Sequence, residues 1–270
     1  EIDIIIDHQF VDIIKSTIND VKIFSYPDQT SNWPKFIRSQ NYDIVIDYLG
    51  SARTSFWTLF SGAPIRIGYD FRIRKWAYNY RINRETFNDR ELLQFAGESF
   101  IDIPRMFNKN VIPWSHLSSV NTSEFINTEY KEWEAGYFGK ECRYIGVSAS
   151  ATWSAKGWYP ENIANLFQML TESGSRVVLI PGPTDKTIVE SVLKYNNEIM
   201  VAPDTNLGEL ILLLGKLDLL VSTDNGTRHL AMMCKVPTLT LFGSTNPDSW
   251  TRKHPLNGVV QNKVSCSPCN

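Results

Sequence analysis

Leu219-Leu-Val-Ser-Thr-Asp-Asn-Gly-Thr-Arg-His-Leu-Ala231 reads as a buried strand that runs into a polar turn and then a helix. The strand, Leu217–Ser222, carries too little polarity for an edge position and fits a parallel sheet covered on both faces. Asp224-Asn225-Gly226 turns the chain, and Gly226 is expected to allow a tight turn and close approach of the backbone to a ligand. A short helix over Arg228–Cys234 leaves the amides of Thr227 and Arg228 free to hold an anion. His229, in the first turn, adds a donor. A pyrophosphate at a sheet edge is one reading of this stretch. An ordinary strand-to-helix turn capped by Asp or Asn is the other, and these residues alone divide evenly between them.

The surrounding sequence has the same rhythm. Arg143–Val147, Arg176–Ile180 and Pro237–Phe242 read as strands. Helices follow at Pro160–Thr171, with Pro160 suited to a first turn, at Asp185–Tyr195 with Thr184 as cap, and at Leu207–Gly215. Ile163, Leu166, Phe167 and Leu170 share one helical face, and Gly174 ends that helix. Strand and helix alternating at this spacing predict a doubly wound parallel sheet. Upstream, Ile2–Ile6 and Asp43–Asp47 read as strands, the second with an Ile-Val-Ile centre expected to be buried on both faces, and Val21–Ser25 reads as a short apolar piece between them. Helices are expected at Phe10–Thr17 and at Ser51–Phe60, the second stopped by Gly62-Ala-Pro64. Residues 85–135 read as helices and a connector. Two domains follow, 1–132 and 133–270.

A second polar constellation is Gly146-Val-Ser-Ala-Ser-Ala-Thr-Trp-Ser-Ala-Lys-Gly-Trp-Tyr-Pro160. Ser150 and Thr152, with Ser148 and Ser154, line a loop that ends in Lys156. Hydroxyls and an ammonium at the C-terminal end of a parallel strand suit phosphate oxygens; a solvated surface loop is the plain alternative. Pro181-Gly-Pro-Thr-Asp185 and Gly243-Ser-Thr-Asn-Pro247 follow two further strands. Four loops thus converge on the edge where open α/β sheets bind ligands.

The whole chain narrows the function classes. Its 270 residues carry 27 basic and 29 acidic side chains, a net charge of −2, which argues against a general nucleic-acid binder. No apolar run reaches the ~18–20 residues that span a bilayer. Glu1–Asp7 reads as an internal strand rather than a signal peptide, and four cysteines do not make a disulfide framework. These features predict a cytoplasmic protein, peripheral at most at the inner membrane. Eight Trp, 11 Tyr and 14 Phe imply well-filled cores and leave room for an amphipathic ligand.

Taken in order, Lys-Gly-Trp-Tyr-Pro, Ile-Pro-Gly-Pro-Thr-Asp, Ser-Thr-Asp-Asn-Gly-Thr-Arg-His-Leu-Ala and Leu-Phe-Gly-Ser-Thr-Asn-Pro resemble the family-nine glycosyltransferases, the ADP-heptose heptosyltransferases of lipopolysaccharide synthesis. The match is close over 144–250 and looser through Tyr42–Gly50 and Pro64-Ile-Arg-Ile-Gly-Tyr69. The resemblance implies a GT-B fold, two Rossmann-like domains with parallel sheets facing a cleft. It implies inverting transfer of heptose from ADP-heptose to a lipopolysaccharide-core hydroxyl, with no cofactor and no metal. Lys156 and the amides after Gly226 would neutralise the leaving diphosphate, Ser150 and Thr152 would lie beside it, and Asp224 would contact the donor sugar. Asn225, Thr227 and His229 belong to the same substrate-binding set. Asp185 would lie near the ribose and Thr205 near the adenine.

The chain also departs from the family pattern. Members open with a strand and a Gly-Asp loop whose Asp is the proposed general base. Here Ile2–Ile6 matches the family's second strand and no Gly-Asp dipeptide occurs, so the first domain reads as truncated and the base is expected before residue 1. Asn225 stands where members often have Ser or Thr. Arg66, Arg72, Arg74, Lys75, Arg81 and Arg84, interleaved with aromatics, fit a phosphorylated glycolipid acceptor at a membrane surface. Single-stranded nucleic acid and a solvated amphipathic face are the alternatives. Cys266-Ser-Pro-Cys269 offers half a metal site, with unligated thiols the simpler reading. A protein-modifying heptosyltransferase and a non-catalytic nucleotide-sugar module remain open; a dinucleotide dehydrogenase lacks its Gly-x-Gly-x-x-Gly.

Overall fold

The computed structural model describes residues 1–70, 73–82, 95–110, 126–149, 151, 153–262 and 264–267, with the side chains of Ser16, Glu98 and Ser99 left aside. The chain divides into two compact units: Glu1–Val11 with Val21–Ser115, and Asp12–Asp20 with His116–Asn270.

In the first unit β1 (Ile2–Asp7) pairs in parallel with β2 (Val21–Tyr26). A second parallel sheet has the order β3 (Ile44–Asp47), β4 (Ile65–Tyr69), β5 (Tyr80–Ile82). The helix α2 (Trp33–Ser39) and the helix α3 (Ala52–Phe60) supply Trp33, Ile37 and Trp57 to a core that also takes Phe24 and Val45. Among the described residues only that face of β3 is covered. Ile44 and Ile46 point the other way and are 38% and 39% exposed, so the expectation of burial on both faces fails for this strand. The buried end of β3 is polar: Tyr78 Oη donates to Asp47 Oδ2 at 2.7 Å and lies 2.8 Å from Ser55 Oγ. Gly68 is required beneath that ring, because a Cβ there would sit 2.5 Å from it.

The second unit holds one six-stranded sheet, parallel throughout. Its order is β11 (Asn257–Gln261), β10 (Thr238–Phe242), β9 (Leu219–Thr223), β6 (Tyr144–Ser148), β7 (Arg176–Leu179), β8 (Met200–Val201). Side chains alternate between two cores, as strand geometry demands. Ile145, Val147, Val177, Leu179 and Val221 face α6 (Pro160–Glu172) and α7 (Lys186–Tyr195). Tyr144, Val178, Ile180 and Leu220 face the opposite core. That core is filled by α5 (Thr128–Tyr137), α8 (Leu207–Gly215) and α9 (Gly226–Met233). Helix α5 brings Tyr130 and Tyr137 into it and so packs with the second unit.

The order of strands decides where a ligand can sit. From β6 the chain steps outward to β7 and β8, then returns across β6 to β9 and steps outward the other way. The loops leaving the C-terminal ends of β6 and β9 therefore diverge to opposite faces and leave a crevice, the place where open α/β sheets bind ligands. Ser148 and Ser222 are register partners at the end of this central pair.

Candidate functional site

The loop after β6 carries Lys156 on a single 3-10 turn, Ser154–Lys156. The loop after β9 begins with Asp224. The two side chains meet: Lys156 Nζ donates to Asp224 Oδ2 at 2.7 Å. Thr245, from the loop after β10, donates to the same oxygen at 2.8 Å. Arg228, one helical turn beyond Asp224, donates through Nε and Nη2 to Oδ1 at 3.2 and 3.0 Å. One carboxylate thus gathers three βα loops and two cations. Burial by itself would raise the Asp224 pKa, but the Lys156 and Thr245 hydrogen bonds and the two positive charges outweigh it and hold the group below its ordinary value.

Arg228 is fully buried, and its remaining donors are satisfied too. Nη2 donates to the Trp250 carbonyl at 2.7 Å and Nη1 to Thr251 Oγ1 at 3.3 Å. Arg228 therefore ties α9 to the end of α10 (Pro247–Trp250). The loop that bears Lys156 is held against the third loop by close backbone approach. A Cβ on Gly243 would lie 2.7 Å from the Ala155 carbonyl oxygen, so only glycine fits there. Around the Lys156 ammonium stand two indoles, Trp153 at 4.4 Å and Trp250 at 6.0 Å from ring centroid to Nζ.

The start of α9 differs in detail from the expectation. Asn225 is the N-cap and its Oδ1 accepts the Arg228 amide at 3.2 Å, so that amide is not free. The amides without a partner among the described residues are those of Gly226 and Thr227. Gly226 is the first helical residue, with an ordinary φ and nothing within 4 Å of where a Cβ would sit. Its value is open space over an exposed helix start rather than a strained turn. Asn225 Nδ2 also donates to Ser148 Oγ at 3.2 Å and Thr223 Oγ1 at 3.3 Å, linking the ends of β6 and β9 at the crevice. His229 is half-buried in the first turn. Burial, then the charge of Arg228, pushes its pKa down to about 4, with Lys156 adding to the effect and Asp224 opposing it. The imidazole is neutral at physiological pH.

The other sequence candidates lie as follows. Asp185, not Thr184, is the N-cap residue of α7, and its Oδ2 accepts the Gly182 amide at 2.7 Å, shaping the turn after β7. Thr205 is half-buried in the loop between β8 and α8. Arg66 belongs to the first unit. Its Nε and Nη1 donate to the carbonyls of Ala77 and Ala63 at 3.0 and 2.9 Å, a bracing role within the β4–β5 region. Ser150, Thr152 and Arg72 lie outside the described residues. Among the described residues no group of three or more His, Cys, Asp or Glu could hold a metal ion, and no helix is long and apolar enough to cross a membrane.

The sequence motif assigns a role to the Arg228 amide but none to its guanidinium, and none to the side chains of Thr251, Trp153 and Trp250. Arg228 had a signal: it stands three and four residues before Ala231 and Met232, the buried positions of α9, and four after Asp224. A cation on the inner face of a helix requires a partner one turn away.

The family model described as glycosyltransferase family 9 (heptosyltransferase) matches residues 32–270. The chain belongs to this family. It is 23% identical over 259 residues to the lipopolysaccharide core heptosyltransferase OpsX of Haemophilus influenzae, covering 91% of this chain and 71% of that one. The fold is that of GT-B heptosyltransferases, α/β with parallel sheets. A family 9 glycosyl transferase from Veillonella parvula superposes with a TM-score of 0.79 at 19% identity, over 97% of this chain and 77% of the other. The E. coli ADP-heptose lipopolysaccharide heptosyltransferase II does so with 0.75 at 19% identity, over 98% and 82%.

Proposed function

We propose that this family 9 chain moves heptose from ADP-heptose to a hydroxyl of the lipopolysaccharide core, with inversion at the transferred carbon. The observation that supports this most is the Lys156 ammonium beside Asp224 at the crevice between β6 and β9, next to the unpartnered amides of Gly226 and Thr227. A nucleotide sugar reacts by expelling a diphosphate, and the barrier falls when fixed positive charge and amide dipoles meet the charge developing on the leaving oxygen. Lys156 supplies the charge, the α9 amides the dipoles, and neutral His229 a further hydrogen bond. Asp224 sets the ammonium in place, and its own oxygens are filled by Lys156, Thr245 and Arg228.

The rest of the donor extends along the same sheet edge. Asp185, after β7, is assigned to the ribose and Thr205, after β8, to the adenine, an assignment consistent with the order of the strands beside β6. Ser150 and Thr152, from the same stretch of sequence as Lys156, are assigned to the diphosphate. The acceptor, a phosphorylated glycolipid presented at the inner membrane from the cytoplasmic side, is assigned to the first unit with its basic and aromatic segment around Arg66 and Arg72. The choice of ADP-heptose follows the name of the E. coli fold relative, and that of the core acceptor follows OpsX.

Calorimetry with ADP on the 270-residue chain, paired with Lys156→Ala, tests the donor site. Binding that weakens in the variant supports it; a folded chain with no affinity for ADP refutes it. Turnover of ADP-heptose against a core oligosaccharide, compared with the same acceptor lacking its inner sugars, tests the acceptor.

A further inference from the structure

Trp153 and Trp250 are 52% and 43% exposed. Neither belongs to the two cores of the second unit. A fold gains by burying an indole, the largest apolar side chain it has, so two left open at one place ask for a reason. Trp153 stands on the loop after β6 and Trp250 at the last position of α10, both beyond the C-terminal ends of strands, and both are anchored. Trp153 Nε1 donates to Ser244 Oγ at 3.5 Å, and the Trp250 carbonyl accepts from the buried Arg228. Their rings lie 4.4 and 6.0 Å from Lys156 Nζ.

We propose that Trp153 and Trp250 form an aromatic platform that receives the pyranose ring of the donor and so selects the sugar carried by the nucleotide. The inference rests on the donor site proposed above. If Lys156 meets the phosphate that departs, the sugar bonded to that phosphate lies within about one ring's width of the ammonium, where the two indoles stand. Nucleoside and ribose lie on the far side of the diphosphate, toward β7 and β8. A pyranose presents a face of polarised C–H groups, which packs on the electron-rich face of an indole. The saturated Asp224 has little capacity left to hold the sugar by hydrogen bonds, so apolar stacking supplies what the carboxylate does not. Trp153 serves twice, since its ring also meets the Lys156 ammonium. Trp250, farther from the charge, is the cleaner probe of the sugar.

The test measures two affinities by calorimetry on the 270-residue chain, one for ADP and one for ADP-heptose. In Trp250→Leu the platform reading expects ADP affinity to stay within about threefold of wild type, while the advantage of ADP-heptose over ADP falls about tenfold; in Trp153→Leu, whose ring also meets Lys156, it expects ADP-heptose to lose about tenfold more than ADP does. Trp153→Phe, which keeps a ring, should restore most of it. Thermal melting confirms that the variants fold, as expected for residues outside the cores. An unchanged preference for ADP-heptose in both leucine variants overturns the platform. Equal loss of ADP and ADP-heptose also overturns it, assigning the indoles to holding Lys156. If wild type binds neither ligand, the donor site itself fails, and that failure is visible without any tryptophan variant.

Discussion

Asp224→Asn is the perturbation that probes the centre of the second unit. The carboxylate carries four hydrogen bonds, two from Arg228 at 3.2 and 3.0 Å, one from Lys156 at 2.7 Å and one from Thr245 at 2.8 Å. Asparagine has the same shape but only one acceptor oxygen and no charge. If that oxygen faces Arg228, the new N–H group confronts the Lys156 ammonium, donor against donor, and Lys156 must move. If it faces Lys156, the guanidinium of a fully buried arginine is left against an amide. Removing one partner of a buried ion pair costs about 3–5 kcal/mol, because the other charge stays buried without compensation. At roughly 2–4 °C per kcal/mol for a unit of this size, the melting temperature should drop by about 6–20 °C. Pairing the change with Arg228→Met should recover much of the loss, since no buried cation is then stranded.

The acid limb gives an independent reading. A carboxyl whose folded pKa is lowered contributes its stability above the unfolded pKa and loses it as pH falls through the folded one. Asp224 is such a group, so the gap between wild type and Asp224→Asn should be constant from neutral pH down to the ordinary carboxylate value of 3.8 and close below it. Urea melts across pH measure both quantities. A variant within about 1 °C of wild type, with ADP affinity intact, would show that the cluster neither stabilises the unit nor places Lys156.

Three further outcomes are expected. Lys156→Ala in an enzyme competent for transfer should raise the barrier by about 2–4 kcal/mol with saturating donor, and unchanged turnover would remove Lys156 from the leaving-group role. The His229 imidazole should titrate near 4 in an NMR pH series. Because its folded pKa lies below the unfolded one, stability should fall as pH drops from 6.5 toward 4, and this slope should vanish in His229→Gln; a midpoint near 6.5 would contradict its placement. Gly243→Ala should cost about 1–3 kcal/mol by pushing on the Ala155 carbonyl, and should weaken ADP binding because that carbonyl belongs to the loop bearing Lys156; melting and calorimetry read the two effects.

How much of this was legible in the sequence follows from the range of each interaction. The second unit's strands and helices follow local periodicity, and its parallel sheet follows from their alternation. The meeting of Lys156 with Asp224 was foreseeable only as convergence on one edge, because 68 residues separate them. The Arg228 amide is not free because the Asn225 side chain is the cap, a contact that the local sequence does not distinguish from an ordinary turn residue. The close backbone approach expected at Gly226 occurs instead at Gly243, where it depends on a residue 88 positions away. In the first unit, Ile44-Val-Ile46 resembles a strand buried on both sides, yet hydrophobicity does not say how many faces helices cover.

The charge arrangement explains why one carboxylate is shared by two unequal cations. Arg228 is fully buried with every nitrogen engaged, so it cannot leave; its charge balances Asp224 permanently. Lys156, at 11% exposure, is the second cation on a single negative charge, and the trio carries a net +1 at neutral pH. Its ammonium is restrained by one hydrogen bond to Asp224 and by contact with indole faces. In the donor site proposed above, an arriving diphosphate would meet a positive charge that is already desolvated and aimed, without having to break a balanced pair. A lone Lys–Asp pair in the same place would be neutral, and releasing the lysine would strand a buried carboxylate. Arg228 removes that penalty. The prediction that follows is specific: Arg228→Met should weaken ADP binding although Arg228 touches no ligand, because Lys156 must then neutralise Asp224 by itself. Arg228→Lys, which retains the charge, should bind ADP more tightly than Arg228→Met even if the two melt alike. Equal ADP affinity in the two variants would mean that the second cation does not free the first.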